Sequence, residues 1–173
     1  VGEENKGWTY AKYLLTHERT NIAGVGHSNS GLQAVKRIAE AEMAGGKPLS
    51  ENPHFAARLA QVEIDLMALS LSNLRIISKA AKGGAPGLEA SMLKVKGSII
   101  RQEINDLARR AVGPYALPFA SEEVEGQNEP PFGPDYAGPL AAQYFNNRKL
   151  SIFGGSNEVQ RQIIAKTTLG PTR

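Results

Sequence analysis

The sequence predicts an all-α protein, folded as an antiparallel up-and-down bundle of about four helices. Apolar residues recur at helical spacing through most of the chain, and connectors rich in Gly and Pro separate the periodic segments. No segment shows the alternation of a strand or the pattern of a βαβ unit. With 173 residues, of which 41% are hydrophobic, the chain is long enough for one domain with a hydrophobic core.

Three long segments have helical periodicity: about Trp8 to Glu40, about Pro53 to Lys82 and about Leu88 to Val112. The apolar stripe of the second segment consists of Leu59, Val62, Leu66 and Leu69. The third segment has a narrow apolar seam, with one glycine that would let two backbones approach: Leu93, Gly97, Ile100, Ile104, Leu107 and Ala111. The short connectors "AGGKPLSENP" and "KGGAPG" favour antiparallel neighbours.

A Pro-rich loop is expected at about 113–139. It holds six of the ten prolines and five acidic side chains, so we expect no helix within it, and the sequence leaves open whether it is a functional loop or a flexible excursion. Helical patterning resumes in "LAAQYFNNRKLSIFGGSNEVQRQIIAKTTLG", with an interruption at Gly154 and Gly155. Ser156 is the expected N-cap of the last helix, whose buried side would carry Val159, Ile163 and Ile164.

The composition argues against several kinds of site. Without cysteine the chain has no disulfide framework, thiolate metal site or cysteine nucleophile, and its three histidines lack a metal-ligand spacing. A net charge of +3 with 6% aromatic residues gives only weak support to nucleic-acid binding. No apolar run is long enough to cross a membrane and the first residues do not resemble a signal peptide, so we expect a cytoplasmic protein.

Two local patterns indicate chemistry. Glu18 interrupts an apolar stripe that we expect to face the core, formed by Ala11, Leu14, Ile22 and Val25. A charge at this position costs free energy unless it is paired or has a function. A buried ion pair with Arg19 or another basic residue is the alternative explanation of this glutamate. The second pattern is the pair Gly154 and Gly155 directly before a helix, where free N–H groups favour an electron-rich ligand, although such pairs are more often plain turns.

Taken together, "GWTYAKYLLTHERTNIAGVG" and "RKLSIFGGSNEVQRQIIA" resemble the C-terminal helical domain of the acyl-CoA dehydrogenase family. The resemblance covers nearly the whole chain. It implies that residues 1–7 end a preceding β domain or linker, and that residues 8–173 form the last domain of a longer flavoprotein. Within this family the chain most resembles the large subunits of pimeloyl-CoA dehydrogenases.

The resemblance implies a reaction, the α,β-dehydrogenation of an acyl-CoA thioester with FAD as the cofactor. In most members the base that removes the α proton is a glutamate at the position of Gly154. In a minority the base lies on the first helix of the bundle, just before an arginine, and Glu18 before Arg19 matches that arrangement. Glu18 is therefore the expected catalytic base. A glutamate suits this role when burial raises its pKa toward the working pH.

The resemblance also implies two sets of binding residues. The acyl-CoA side would include Leu15, Thr16, Arg19, Phe153 and Gly154. The flavin side would include Gly113, Gly155, Ser156 and Glu158. Ordinary packing is the alternative explanation for Leu15 and Phe153, and a simple helix cap is the alternative for Ser156.

The chain departs from the family pattern at two places. Glu42 stands where members commonly carry an arginine that reaches the flavin of a neighbouring subunit, and Gly113 alone is retained from the family's Gln and Gly-Gly in the third helix region. These losses motivate the hypothesis of a heteromeric dehydrogenase, with a homo-oligomer as the alternative. We expect partner subunits to contact the helices that carry "SNLRIISKA" and "VKGSIIRQEINDLARR". The electron acceptor implied by the resemblance is an electron-transfer flavoprotein.

Two other functions stay open. A non-catalytic helical subunit or interaction module would explain the missing carboxylate at Gly154. An unrelated basic bundle that binds nucleic acid would fit the pI of about 9.2, but the chain lacks a clustered basic face. For a dehydrogenase, we expect the isolated domain to be inactive and to bind FAD poorly, because the sites of this family also need the β domain.

Overall fold

The structure is a computed structural model that describes residues 2–82, 87–118 and 132–170, without the side chains of residues 15–22. These residues form six α-helices and one small hairpin: α1 (Gly7–Ile22), α2 (Val25–Ala41), β1 (Met43–Ala44), β2 (Lys47–Pro48), α3 (Pro53–Ala81), α4 (Leu88–Ala111), α5 (Gly138–Asn146) and α6 (Asn157–Leu169). Short 3₁₀ helices lie at Leu49–Glu51, Gly113–Ala116 and Asn147–Ser151. The predicted all-α fold class is confirmed.

The first long segment consists of two helices, where the sequence indicated one. Gly24, between α1 and α2, has a φ of 57°, a left-handed conformation that glycine adopts at little cost and that ends a right-handed helix. Ala23 at this junction is buried, whereas Leu14 on the predicted core-facing stripe is 65% exposed. The prediction that this stripe faces the core of the chain is therefore wrong at Leu14.

The chain packs as two units. The first unit comprises Val1–Val25, Leu66–Ile99 and Leu150–Arg173, and the second comprises Gly26–Asp65 and Ile100–Lys149. The core of the first unit includes Ala23, Leu66, Leu69, Ala90, Leu93, Val95 and Leu150. The core of the second unit includes Leu32, Val35, Ile38, Leu59, Val62, Ile100, Ile104, Leu107 and Leu140. The apolar stripes predicted for α3 and α4 are confirmed, because their apolar side chains are buried.

The ends of α3 and α4 follow ordinary sequence signals. Asn52 caps α3, since its Oδ1 accepts hydrogen bonds from the N–H groups of His54 and Phe55, both at 3.1 Å. Pro53 is the first residue of that helix, where its missing N–H is not needed. After α4, Gly113 has a φ of 54°, the left-handed conformation that commonly follows a helix end.

The connectors contain structure that the sequence did not indicate. Gly45 and Gly46 both have positive φ, 61° and 81°, which lets β1 and β2 pair through a tight turn. The Pro-rich segment has a 3₁₀ helix at Gly113–Ala116, and α5 begins at Gly138 inside its predicted end. The prediction of no helix is therefore wrong at both ends, and residues 119–131 lie outside the described part of the chain.

None of the helices within the described residues is long and apolar enough to cross a membrane.

Candidate active site

Helix α4 touches the end of α1 through a glycine. A Cβ atom on Gly97 would lie 2.5 Å from the carbonyl oxygen of Ala23 and 2.7 Å from its Cα, so the two backbones are in contact. The close approach predicted from the seam of the third segment is confirmed. Because Ala23 follows Glu18 by about one and a half helical turns, this contact fixes the end of the helix that carries Glu18.

The same part of α4 holds the start of α6. Lys94 Nζ donates to Asn157 Oδ1 at 2.9 Å, and Asn157 Nδ2 donates to Ser98 Oγ at 3.1 Å. All three side chains are buried, and Asn157 is the first residue of α6. Residues 94–98 of α4 therefore contact both the end of α1 and the beginning of α6.

The residues before α6 form a turn that only glycines adopt easily. Gly154 and Gly155 have φ values of 67° and 85°. Ser156 follows as the N-cap, and its Oγ accepts a hydrogen bond from the N–H of Val159 at 3.4 Å. The predicted cap is confirmed, and we call residues Gly154–Ser156 the glycine turn.

Gln160 fixes the direction of the peptide groups in the glycine turn. Its side chain is completely buried, and its Nε2 donates to the carbonyl oxygens of Gly154 and Gly155, both at 3.4 Å. In a trans peptide the N–H points opposite to the C=O, so the N–H groups of Gly155 and Ser156 point away from Gln160. Two N–H donors at a helix N-terminus, beside a residue without a Cβ, fit an electron-rich group such as those of FAD.

Glu158 and Lys94 carry opposite charges near the start of α6, and each affects the pKa of the other. The pKa of Glu158 is lowered by its own backbone N–H, by the Ser156 hydroxyl and by the positive charges of Arg161 and Lys94. The pKa of Lys94 is lowered by burial, while the Glu158 carboxylate acts against that shift. A carboxylate in the first turn of α6 also complements the helix dipole, which explains Glu158 without a cofactor.

The structure places the predicted residues as follows. Leu15, Thr16, Glu18 and Arg19 lie in α1, and their side chains are outside the described part of the structure. Phe153 is 41% exposed and directly precedes the glycine turn, which Glu158 follows. These residues belong to the first unit, whereas Gly113 belongs to the second, where the end of α4 accounts for its conformation.

The buried face of α6 differs from the prediction. Val159 is 46% exposed, and Ile163 and Ile164 are half-buried, so the prediction of an apolar buried side is wrong at Val159. The buried residues of this helix are Asn157 and Gln160. The sequence analysis missed both of them, and also Lys94 and Ser98. These side chains are polar, whereas helical periodicity is recognised from apolar residues.

Glu42, the departure from the family's arginine, has a partner within the second unit. Tyr136 donates its hydroxyl to Glu42 Oε1 at 2.8 Å. Burial and this carboxylate raise the pKa of Tyr136 to about 12. Glu42 is thus held by the chain itself.

The fold and the glycine turn define an all-helical domain with a candidate ligand site at the N-terminus of its last helix. Residues 5–169 match the family described as "Acyl-CoA dehydrogenase, C-terminal domain", and the chain belongs to this family. It is 30% identical over 177 residues to acyl-CoA dehydrogenase FadE26 of Mycobacterium tuberculosis, a match that covers 100% of this chain and 42% of the relative.

Two solved structures extend the comparison. The ChsE4–ChsE5 complex from Mycobacterium tuberculosis is similar with a TM-score of 0.75 and 30% identity, covering 100% of this chain and 43% of that one. Butyryl-CoA dehydrogenase from Megasphaera elsdenii has the same fold, with a TM-score of 0.77 and 20% identity over 97% of this chain and 40% of that one. The chain thus spans less than half the length of these relatives. The predicted family and its helical-domain fold are confirmed, while the subfamily and the role of Glu18 stay predictions.

Proposed function

We propose that this chain is the C-terminal domain of a flavin-dependent acyl-CoA dehydrogenase in which Glu18 removes the α proton of an acyl-CoA thioester. The observation that best supports this proposal is that residues 94–98 of α4 contact both the end of α1 and the start of α6. The helix that carries Glu18 and the glycine turn thus share one support.

Two elements take part in the proposed reaction: α1, which carries Glu18, and the glycine turn. The Glu18 carboxylate takes the α proton of the thioester. FAD, when bound, supplies the acceptor for the hydride that leaves the β carbon, so the product is an α,β-unsaturated thioester. The N–H groups of Gly155 and Ser156 would hold an electron-rich atom of the ligand. Because Gly154 has no side chain, a carboxylate from α1 can take the position that most family members fill from this turn.

The test is anaerobic bleaching of the flavin in the full-length protein by a series of acyl-CoA thioesters. Loss of the base in Glu18→Gln should slow bleaching at least about a hundredfold, with FAD still bound. Glu40→Gln, at an exposed position of α2, is the matched control and should bleach like the wild type. The chain length that bleaches fastest identifies the substrate.

A second variant makes this test sharper. Adding Gly154→Glu to Glu18→Gln returns a carboxylate to the position where most family members carry it, and should restore part of the rate. The restored rate should stay below wild type, because glutamate is strained at the φ of 67°. Equal bleaching by Glu18→Gln and the wild type would mean that the base lies elsewhere and that Glu18 is a structural carboxylate.

Helix α3 supports an oligomeric assembly. Met67, Leu71 and Leu74 lie at helical spacing and are 62%, 63% and 60% exposed, an apolar face that we call the α3 stripe. The stretch "VKGSIIRQEINDLARR" of α4 was also expected to contact partners. Its apolar residues are largely buried within the chain itself. The α3 stripe is therefore the better candidate for contact with another subunit.

Residues 5–169 match the acyl-CoA dehydrogenase C-terminal domain family, and one of the similar solved structures is the ChsE4–ChsE5 complex. These similarities favour a partner of the same fold for the α3 stripe. We therefore propose another dehydrogenase subunit as the occupant of this face.

A second candidate function is that of a non-catalytic subunit in a heteromeric dehydrogenase. Two observations favour this second function. The chain is similar to the ChsE4–ChsE5 complex, and Tyr136 binds Glu42, the residue that stands in place of the family's arginine. Co-expression with a neighbouring dehydrogenase-like gene product should then yield a flavin-containing complex that neither chain forms alone. A stable homo-oligomer with a full complement of flavin would contradict this second function.

A further inference from the structure

Lys94 is a completely buried lysine that the resemblance does not assign to any site. Burial lowers the pKa of its ammonium group, since a charged group loses its hydration there. A methionine or leucine would fill the same space without that cost. The lysine is therefore expected to do something that an apolar side chain cannot.

The hydrogen bonds of Lys94 orient one side chain at the start of α6. Its Nζ binds Asn157 Oδ1 at 2.9 Å, which leaves Nδ2 of the same amide facing Ser98 Oγ at 3.1 Å. The Ser98 hydroxyl is itself held by the carbonyl oxygen of Val95 at 2.9 Å. Both the oxygen and the nitrogen of the Asn157 amide are thus bound to side chains of α4, which anchors the first residue of α6 to that helix.

Asn157 and Gln160 hold the glycine turn from two sides. Gln160 donates to the carbonyl oxygens of Gly154 and Gly155. Asn157, which directly follows Ser156, is held to α4 by its side chain. We propose that Lys94 is a positioning residue, which through Asn157 aims the N–H groups of Gly155 and Ser156 at the ligand. This inference rests on the proposed function, in which the glycine turn contacts the flavin or the thioester.

The experiment compares two Lys–Asn pairs in the full-length protein. Lys94→Met removes the buried pair, and Lys149→Met removes an exposed pair with the same 2.9 Å distance, between Lys149 Nζ and Asn146 Oδ1. Hydrogen–deuterium exchange is followed in residues 153–159 and in residues 160–169. The dissociation constant of FAD, KM and kcat are measured for the same proteins.

We expect Lys94→Met to speed amide exchange in residues 153–159 at least tenfold, with a much smaller change in residues 160–169. The dissociation constant of FAD or the KM for acyl-CoA should rise about tenfold, and kcat should change less. Lys149→Met should behave like the wild type. Asn157→Asp keeps an oxygen for Lys94 but loses the Nδ2 donor to Ser98, so its exchange in residues 153–159 should lie between those of the wild type and Lys94→Met.

Other results have defined meanings. Wild-type exchange in residues 153–159 of folded Lys94→Met overturns the inference, and so does faster exchange without any change in FAD or acyl-CoA binding. If Lys94→Met does not fold, Ser98→Ala removes one bond of the same network and should show the same local exchange. If Lys94→Met speeds local exchange but the wild type binds neither FAD nor acyl-CoA, then Lys94 does hold the glycine turn. The proposed function is contradicted in that case.

Discussion

Gly97 and Ala23 contact each other backbone to backbone. A Cβ on Gly97 would stand 2.5 Å from the carbonyl oxygen of Ala23 and 2.7 Å from its Cα. Ala23 lies where α1 has ended and Gly24 turns the chain into α2. The absence of a side chain on Gly97 therefore lets α4 approach the end of the helix that carries Glu18.

Gly97→Ala is expected to destabilise the protein by about 1–3 kcal/mol, because the atoms in the way belong to the backbone and cannot move aside freely. The midpoint of urea unfolding measures this change. Gly26→Ala is the matched control, since a Cβ at Gly26 in α2 would meet nothing within 4 Å. The control should be neutral or stabilising by up to about 1 kcal/mol. Equal unfolding midpoints would contradict the close contact at Ala23.

Gly155→Ala should cost more than its conformation alone explains. Gly155 and Gly170 have similar φ values of 85° and 82°, and a Cβ at Gly170 would meet nothing within 4 Å. A Cβ at Gly155 would lie 2.5 Å from Gln160 Nε2 and would displace the amide that holds the turn. Gly170→Ala therefore measures the backbone strain at a positive φ without a clash, about 1–3 kcal/mol. Gly155→Ala should lose about 1 kcal/mol more in thermal unfolding, and should weaken FAD binding.

The Gln160 side chain provides the check on that prediction. If its displacement causes the extra loss, Gly155→Ala and Gln160→Ala should be strongly non-additive in a double-mutant cycle. Additive losses would show that Gln160 does not act on Gly155.

The sequence predicted α3 and α4 well because their packing is apolar and periodic. Leu59, Val62 and Leu66 are buried as expected, and Gly97 is where two backbones meet. Such helices bury one stripe against neighbours, and the spacing of the stripe is visible in the sequence. The same reasoning missed the break between α1 and α2 at Gly24. Glycine permits a positive φ but does not require one, so its presence alone does not predict a helix end.

The support of the candidate site was not visible in the sequence. Lys94 and Asn157 are 63 residues apart, and a lysine in a helix is normally solvated. Their bond depends on the tertiary placement of α6, which local spacing does not encode. The residues that the resemblance implied, Glu18 above all, were found by matching a motif, and the role of Glu18 stays a prediction.

Asp106 is expected to make stability depend on pH. Its carboxylate accepts hydrogen bonds from Arg110 at 2.6 Å, Arg109 at 3.0 Å and Arg58 at 3.2 Å. Burial by itself would raise the pKa of Asp106, but these guanidinium groups hold it below its ordinary value. Since the pKa is lower in the folded state, the stabilisation is present above about pH 4 and is lost as the pH falls toward the folded pKa.

Asp106→Asn should therefore lower the free energy of unfolding at pH 7 by about 1–3 kcal/mol, and the difference from wild type should shrink below about pH 4. Urea unfolding at several pH values measures it. Glu103→Gln is the control, because Glu103 pairs with Arg58 at a site where both side chains are nearly half exposed, 48% and 43%. Its effect should stay below about 1 kcal/mol. A pH-independent loss in Asp106→Asn would mean that the carboxylate charge does not stabilise the fold.

The α3 stripe leads to a prediction about assembly. Leu71→Glu places a carboxylate in the middle of the stripe, where contact with another subunit would remove it from water. We expect the full-length protein to shift to a smaller species in analytical ultracentrifugation. Ser72→Glu adds the same charge at the next residue, about 100° around the helix, and should leave the mass unchanged. A wild-type monomer, or equal effects of the two variants, would contradict the proposed interface. Because Leu71 is 63% exposed within the chain, its replacement should leave the core intact, and dissociation with an unchanged circular dichroism spectrum can then be assigned to the stripe itself.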